Sequence, residues 1–152
     1  MYSAFVPATT PQNKENHAAK GSSPSEVVCL VDDDPSVRKA VSRLLESAGF
    51  NVKAFGDPAL FLDYLGNNYV PVVVLDIWME RMTGMELLER LYTTSPRTRV
   101  IFITGHEDQT AEAKVMQAGA FGFLIKPFDD EPFLSMVVRA LAGKDRLGDH
   151  PK

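Results

Sequence analysis

The sequence predicts an α/β fold in which helices cover both faces of a parallel five-stranded sheet. Four short apolar runs, at 27–31, 72–75, 100–103 and 121–125, are rich in β-branched residues, as strands buried on both faces usually are. Segments with the apolar spacing of helices separate these runs, and strict strand-helix alternation indicates a parallel sheet. Each run is also followed by a residue able to bind a metal ion or a phosphate. Such residues would meet at one edge of the sheet.

The first half of the chain supplies two strands and two helices. A first strand at about 26–32 leads to a helix that begins at Asp34-Pro35, where an Asp cap precedes proline. Gly49 is expected to end that helix. A short second strand at 51–55 follows, and a second helix runs from Asp57-Pro58 to Gly66. The residues of the first helix that share a predicted buried face are Val37, Ala40, Val41, Leu44, Leu45 and Ala48.

The second half supplies three strands and three helices. One face of its first helix carries Met85, Leu88 and Leu91, and one face of its last helix carries Phe133, Leu134, Val137, Val138 and Leu141. The predicted elements, in order, are a strand at 70–76, a helix at 84–94, a strand at about 99–104, a helix at about 108–118, a strand at about 121–125 and a helix at about 130–142.

These elements form one domain at 26–143, as expected for a chain of 152 residues. Residues 1–25 lack an apolar period and are expected to be a disordered tail. Residues 144–152 are a short, charged C-terminal tail. No repeat and no second domain is visible.

Composition excludes several functional classes. A net charge of −4 argues against direct binding of nucleic acid, which needs clustered basic residues. The chain has no apolar stretch of the ~20 residues needed to cross a bilayer, so no membrane contact is expected. The single cysteine, Cys29, lies in a predicted buried strand and is expected to be a small core residue, which favours a reducing, cytoplasmic setting.

Acidic residues follow two of the predicted strands. Asp32, Asp33 and Asp34 come after the first strand and Asp76 after the third. A solvated loop with Asp34 as a helix cap would explain part of this pattern. It would not explain the two preceding acids, whose like charges repel. Magnesium favours carboxylate oxygens and accepts phosphate oxygens as further ligands, so the sequence predicts a Mg²⁺ site at this edge.

Two other residues at the same edge complete a predicted phosphoryl site. Thr104 ends the fourth strand and Lys126 follows the fifth. Taken alone, each is also an ordinary strand or turn residue. Together, a hydroxyl and an ammonium facing metal-bound carboxylates suit the binding of phosphoryl oxygens.

The signature blocks of the chain resemble those of the receiver domain of two-component response regulators. These blocks are Val31-Asp32-Asp33-Asp34-Pro35, Leu75-Asp76-Ile77-Trp78-Met79 with Thr83-Gly84, Ile103-Thr104-Gly105-His106, and Leu124-Ile125-Lys126-Pro127-Phe128. The resemblance covers about 26–143. Within the family, the chain is similar to receivers of the nitrogen-fixation transcription regulator type. The resemblance implies a flavodoxin-like sheet with strand order 2-1-3-4-5.

The resemblance also implies a role for each site residue. Asp76 would be the phosphoacceptor and single phosphorylation site, taking phosphate from a phosphohistidine. Asp33, Asp76 and the backbone carbonyl of Trp78 would bind Mg²⁺ directly, and Asp32 would act mostly through water. Thr104 and Lys126 would bind the phosphoryl oxygens. Phe123 would be the switch aromatic that responds to Thr104, and the Lys126-Pro127 bond would be cis.

The resemblance implies that a sensor histidine kinase or a phosphotransfer protein donates the phosphoryl group. A second copy of the chain or a downstream protein would bind after phosphorylation. The protein would not be an enzyme in its own right, although it would slowly lose its own phosphate. Trp78 and His106 are expected to shield the phosphoryl group from water.

The sequence departs from the family pattern at Glu80, where the family usually has proline. The loop after Asp76 therefore loses a fixed φ angle and gains a charge near the expected metal. No expected ligand is removed by this change.

The first functional hypothesis is a stand-alone receiver. The second is the receiver part of a DNA-binding transcription regulator whose output domain is absent from this chain. An aspartate-based phosphatase is disfavoured because it would need an Asp where Trp78 stands. A flavin carrier is disfavoured because the three acids after the first strand would repel a flavin phosphate.

Overall fold

The structure, a computed structural model, describes residues 26–105 and 108–143. The predicted tails at 1–25 and 144–152, and His106, lie outside the described residues. The strands are β1 (Val27–Val31), β2 (Asn51–Phe55), β3 (Val72–Asp76), β4 (Arg99–Thr104) and β5 (Gly122–Ile125). The helices are α1 (Pro35–Ser47), α2 (Pro58–Leu65), α3 (Gly84–Thr94), α4 (Gln109–Gln117) and α5 (Asp130–Leu141).

The five strands are parallel and lie in the order β2-β1-β3-β4-β5, which confirms the predicted fold and strand order. In the register of the sheet, Val31 at the end of β1 pairs with Leu75 of β3. The residues that follow these two positions are Asp32 and Asp76. The topology therefore brings the two acids to neighbouring places at one edge of the sheet.

Two apolar layers cover the sheet, because alternate residues of each strand point to opposite faces. One layer contains Cys29, Leu75 and Phe102 from the strands and packs against α2, α3 and α4. The other contains Leu30, Val74 and Ile103 and packs against α1 and α5. Fully buried helical side chains complete these layers: Phe61, Leu87 and Leu91 in the first, and Leu45, Phe133 and Val137 in the second.

The Asp caps predicted for α1 and α2 are present in the structure, and α3 has a cap that was not predicted. The carboxylates of Asp34 and Asp57 each accept a hydrogen bond of 2.9 Å from the backbone N–H two residues later. Thr83 and Glu86 form a reciprocal capping box at the start of α3. Gly49 follows α1 with a φ of 95°, a backbone conformation that favours glycine and ends the helix as predicted.

The structure corrects some details of the predicted elements. β3 begins at Val72 rather than at residue 70, because Pro71 has no N–H to donate to a neighbouring strand. Ala40 and Val138 are exposed, although the helical spacing placed them on buried faces. The buried face of α5 is narrower than predicted, and the step of 100° from Val137 carries Val138 to its outer side.

Cys29 has no solvent exposure in the centre of β1, which confirms that it is a core residue. Burial raises the pKa of its thiol to about 12. Across the residues that the structure describes, none of the helices combines the length and apolar character that crossing a bilayer requires.

Candidate functional site

Three carboxylates meet at the edge of the sheet where β1 and β3 end. One oxygen from each of Asp32, Asp33 and Asp76 lies within 4.8 Å of the others. Asp32 has no solvent exposure and Asp76 is 8% exposed, whereas Asp33 is the most open of the three. The sequence-predicted acids are therefore close enough to share one cation, and two of them are largely removed from water.

Each of these three carboxylates accepts a hydrogen bond from a backbone N–H group. For Asp32 and Asp76 the donor lies two residues further along the chain. For Asp33 the donor lies 47 residues away, in the loop between β3 and α3. The bonds run from the N–H of Asp34 to Oδ1 of Asp32 (2.9 Å), from that of Trp78 to Oδ1 of Asp76 (3.2 Å), and from that of Glu80 to Oδ2 of Asp33 (3.1 Å).

Lys126 brings a positive charge to the cluster from the end of β5. Its Nζ atom lies 3.5 Å from Oδ2 of Asp32, and its side chain is 23% exposed. The N–H of Lys126 donates to the carbonyl of Thr104, with 2.6 Å between the two atoms, which ties the end of β5 to the end of β4. The peptide bond from Lys126 to Pro127 is cis, as expected. Thr104 itself is buried.

Electrostatics at the site favour a bound cation. Burial raises the pKa of Asp32, while the N–H of Asp34 and the charge of Lys126 act in the opposite direction. Burial also raises the pKa of Asp76, and the nearby carboxylate of Asp32 raises it further. Holding both groups ionised without a cation therefore costs free energy.

The residues present fit a magnesium ion. Among the described residues, no donor makes a hydrogen bond to the buried Oδ2 atom of Asp32. Lys126 Nζ, at 3.5 Å, is an ion-pair partner but lies beyond the 2.7–2.9 Å typical of charge-assisted hydrogen bonds. This buried oxygen lacks a hydrogen bond and lies beside two further carboxylates. A hard divalent cation would satisfy it by coordination.

Phe123 and Trp78 are the predicted switch and shielding residues that the structure describes. Phe123 pairs with Phe102 of β4 and packs, half-buried, against the apolar layer under α3 and α4. Trp78 is 46% exposed. It lines a mainly apolar groove of about 230 Å³ together with Met85 and Ala111. His106, which was expected to act with Trp78, lies outside the described residues.

Two contacts to the acidic loop were not found by sequence reasoning. The Arg38 guanidinium donates a 2.8 Å hydrogen bond to the backbone carbonyl of Asp32. The Glu80 N–H supports Asp33 from 47 residues away, and because nearly every residue offers such a donor, no local pattern predicts which one meets this carboxylate. No local pattern identifies Arg38 either, since its guanidinium lies against Gly56, where a Cβ atom would come within 2.7 Å of it.

Gly84 allows α3 to begin directly against the site. A Cβ atom at this position would lie 2.6 Å from Cε1 of Phe102 and 2.7 Å from the carbonyl oxygen of Asp76. The N–H of Gly84 donates a 2.8 Å hydrogen bond to the carbonyl of Ile77. Glycine is therefore required here because of close backbone approach.

Comparison with known proteins adds independent evidence. A family model described as "Response regulator receiver domain" matches residues 28–138. Response regulator protein TmoT of Ectopseudomonas mendocina is 36% identical over 115 residues, covering 76% of this chain and 52% of TmoT. Transcriptional regulatory protein FixJ of Bradyrhizobium diazoefficiens is 36% identical over 114 residues, covering 75% of this chain and 56% of FixJ. The chain thus spans about half the length of these curated relatives.

A solved structure gives the same result for the fold. The beryllofluoride-activated receiver domain dimer of NtrC4 superposes with a TM-score of 0.73 at 32% sequence identity. The match covers 77% of this chain and 97% of the NtrC4 chain. Sequence and structure comparisons therefore identify the same kind of domain.

Proposed function

This chain belongs to the response regulator receiver family, and we propose that it accepts a phosphoryl group on Asp76 with the help of Mg²⁺. The donor is the phosphohistidine of a sensor histidine kinase or phosphotransfer protein. A carboxylate oxygen of Asp76 attacks phosphorus, the new O–P bond forms, and the P–N bond to the histidine ring breaks. The histidine nitrogen keeps the electron pair of the broken bond.

Two sets of residues assist that transfer, one by holding Mg²⁺ and one by binding the phosphoryl oxygens. Asp33, Asp76 and the backbone carbonyl of Trp78 would hold Mg²⁺ directly, and Asp32 would hold it mostly through water. When bound, the ion offsets the charge of the carboxylates and of the phosphoryl oxygens. Lys126 and Thr104 would bind the phosphoryl oxygens, with an ammonium and a hydroxyl as donors.

The observation that carries this proposal is the cluster of three carboxylates beside the Lys126 ammonium. Asp32 and Asp76 are largely buried at 0% and 8% exposure, and the Oδ2 atom of Asp32 has no hydrogen bond within the described part of the chain. If the cluster had only a structural role, the mutual repulsion of its carboxylates would destabilise the folded protein without a compensating gain. A cation and a phosphoryl site account for it.

Phosphorylation would be transmitted from the site to a binding surface. Thr104 would move toward the phosphoryl group, and Phe123 would turn inward into the space that this movement opens. The surface formed by α4, β5 and α5 would then change and bind a second copy of the chain or a downstream protein. Two observations support this route: Thr104 ends β4, and Phe123 of the neighbouring strand pairs with Phe102, two residues before Thr104.

We assign this function to a receiver domain at 26–143 of a stand-alone protein, located in the cytoplasm where it can meet a kinase. The decisive experiment is incubation with acetyl phosphate and Mg²⁺, followed by intact mass measurement. One phosphate should be added to the wild-type protein and none to Asp76→Asn. Labelling of that variant to the same extent would show that Asp76 is not the phosphoacceptor.

A second candidate function is the receiver half of a DNA-binding transcription regulator. It is favoured by the similarity to FixJ, a transcriptional regulatory protein of which the match covers 56%. The mass of the protein isolated from its native cells separates the two candidates. A mass of 16.8 kDa supports the stand-alone form, and a substantially larger mass supports an attached output domain.

A further inference from the structure

We propose that Glu80 is a positioning residue for metal binding and that it acts through its backbone N–H rather than its side chain. The N–H donates to Oδ2 of Asp33, with 3.1 Å between the two atoms. This bond joins the loop after β1 to the loop after β3. The inference rests on the proposed function because it concerns the same magnesium site.

Asp33 needs such a support more than the other two acids do. Asp32 and Asp76 are largely buried, so packing restricts their side chains. Asp33 is the most open member of the cluster, and its carboxylate faces two like charges. Without a tether, repulsion and solvation would favour rotamers that point the Asp33 carboxylate away from the other two.

The Glu80 N–H restricts Asp33 without using up its capacity to bind a cation. A carboxylate has two oxygens and about four lone-pair directions, so one N–H on Oδ2 leaves Oδ1 and a further lone pair available. The side-chain entropy of Asp33 is then lost on folding rather than on metal binding. The result is a ligand that is partly preorganised before Mg²⁺ arrives.

Proline at position 80 would remove this donor, because proline has no N–H. The identity of residue 80 therefore matters in a way that its exposed carboxylate does not reveal. The same bond also makes a reciprocal prediction: a cation that orders Asp33 should in turn order the loop that carries Glu80.

The test compares Glu80→Pro with Glu80→Ala. Both variants lose the side-chain carboxylate, and only the proline variant loses the N–H. The measured quantity is the dissociation constant for Mg²⁺ alone, followed by the fluorescence of Trp78, the single tryptophan. We expect Glu80→Pro to bind Mg²⁺ about five-fold more weakly than Glu80→Ala, the factor that corresponds to the net worth of one hydrogen bond, about 1 kcal/mol.

A second variant guards against distortion of the loop by proline. The α-hydroxy analogue of alanine at position 80 replaces the N–H with an ester oxygen and leaves φ free. It should weaken Mg²⁺ binding to a similar extent. In the metal-free protein, hydrogen exchange of the residue 80 amide should be faster in Asp33→Ala than in wild type, and Mg²⁺ should slow that exchange in wild type.

Equal Mg²⁺ affinity in the alanine, proline and ester proteins would overturn the inference and leave the metal site intact. An unprotected residue 80 amide in metal-free wild type would also overturn it. Failure of the wild-type protein to bind Mg²⁺ at all would instead contradict the proposed function. The two kinds of failure are thus distinguishable.

Discussion

Lys126 lies 3.5 Å from Asp32 although their strands, β5 and β1, are separated in the sheet by β3 and β4. Both residues follow the ends of their strands, and their charged groups meet over the carboxyl edge of the sheet. Burial raises the pKa values of both Asp32 and Asp76, and the Lys126 ammonium partly offsets that rise at each of the two acids. In the metal-free protein this ammonium takes part of the role that a cation would have.

The first prediction concerns the competition between the Lys126 ammonium and Mg²⁺ for the same carboxylates. Lys126→Met should bind Mg²⁺ roughly two- to five-fold more tightly, because a positive charge that opposes the ion is removed from a partly exposed site. Phosphorylation by acetyl phosphate should nevertheless be slower, since a donor to the phosphoryl oxygens is lost. Mg²⁺ affinity is measured by Trp78 fluorescence. Lys53→Met, in the edge strand β2, is the charge-matched control, and weaker Mg²⁺ binding by Lys126→Met would contradict the argument.

The second prediction concerns the buried charge of Asp32. In chelator at pH 7, Asp32→Asn should melt about 4 °C higher than wild type, the shift expected for ~1 kcal/mol, and it should respond little to Mg²⁺. Asparagine keeps the acceptor for the Asp34 N–H and removes the charge. Thermal melts with and without millimolar Mg²⁺ measure this, and Asp34→Asn, an exposed change in the same loop, is the control.

The Asp32→Asn variant also tests how the stability of the folded protein depends on pH. The pKa of Asp32 in the folded protein is raised above its ordinary value of 3.8, so the folded state holds this proton more tightly than the unfolded chain. The stability from that proton is complete below about pH 3.8 and is lost as the pH rises through the folded pKa. In chelator, the advantage of Asp32→Asn over wild type should therefore grow from pH 4 to pH 7. A constant difference in stability across this range would show that the charge of Asp32 does not destabilise the folded protein.

The third prediction concerns the start of α3. Gly84→Ala should lower the free energy of unfolding by about 1–3 kcal/mol, because the new methyl group would meet Phe102 and the Asp76 carbonyl within 2.7 Å. Urea denaturation measures the change. Gly105→Ala is the matched control, since a Cβ atom there has nothing within 4 Å. Equal stability of the two variants would mean that the backbone relaxes at no cost.

The fourth prediction concerns the lifetime of the phosphorylated state. Trp78 follows Asp76 by two residues, and its broad side chain should limit the approach of water to the acyl phosphate. Trp78→Asn should therefore lose phosphate several-fold faster after donor removal, whereas Trp78→Phe should resemble wild type. Phosphate loss over time is followed by intact mass. An unchanged or slower rate in Trp78→Asn would refute shielding by this residue.

Much of the fold follows from local signals in the sequence. The apolar runs of β1, β3 and β4 are continuous because both faces of these strands are buried, and Asp-Pro pairs mark the starts of α1 and α2. The acidic cluster was also predictable. It depends only on which residues follow parallel strands, and the register places those residues together at one edge.

The remaining details depend on packing that no local pattern encodes. Helical spacing predicts a wide apolar face, but it does not show that Val138 lies just outside the part of α5 that the sheet covers. The bond from Glu80 to Asp33 joins residues 47 positions apart, and the Arg38 guanidinium that binds the Asp32 carbonyl lies against Gly56, where a larger residue would meet it. These contacts are properties of the assembled loops.

The burial of Cys29 makes the protein well suited to thiol-directed probes. Burial raises the pKa of its thiol to about 12, so Cys29 stays protonated at pH 8, and the group has no solvent exposure. A maleimide dye or spin label should therefore react with an introduced surface cysteine and leave Cys29 untouched. Labels on α4 or α5 could then report the proposed movement of that surface in a protein whose native cysteine is retained.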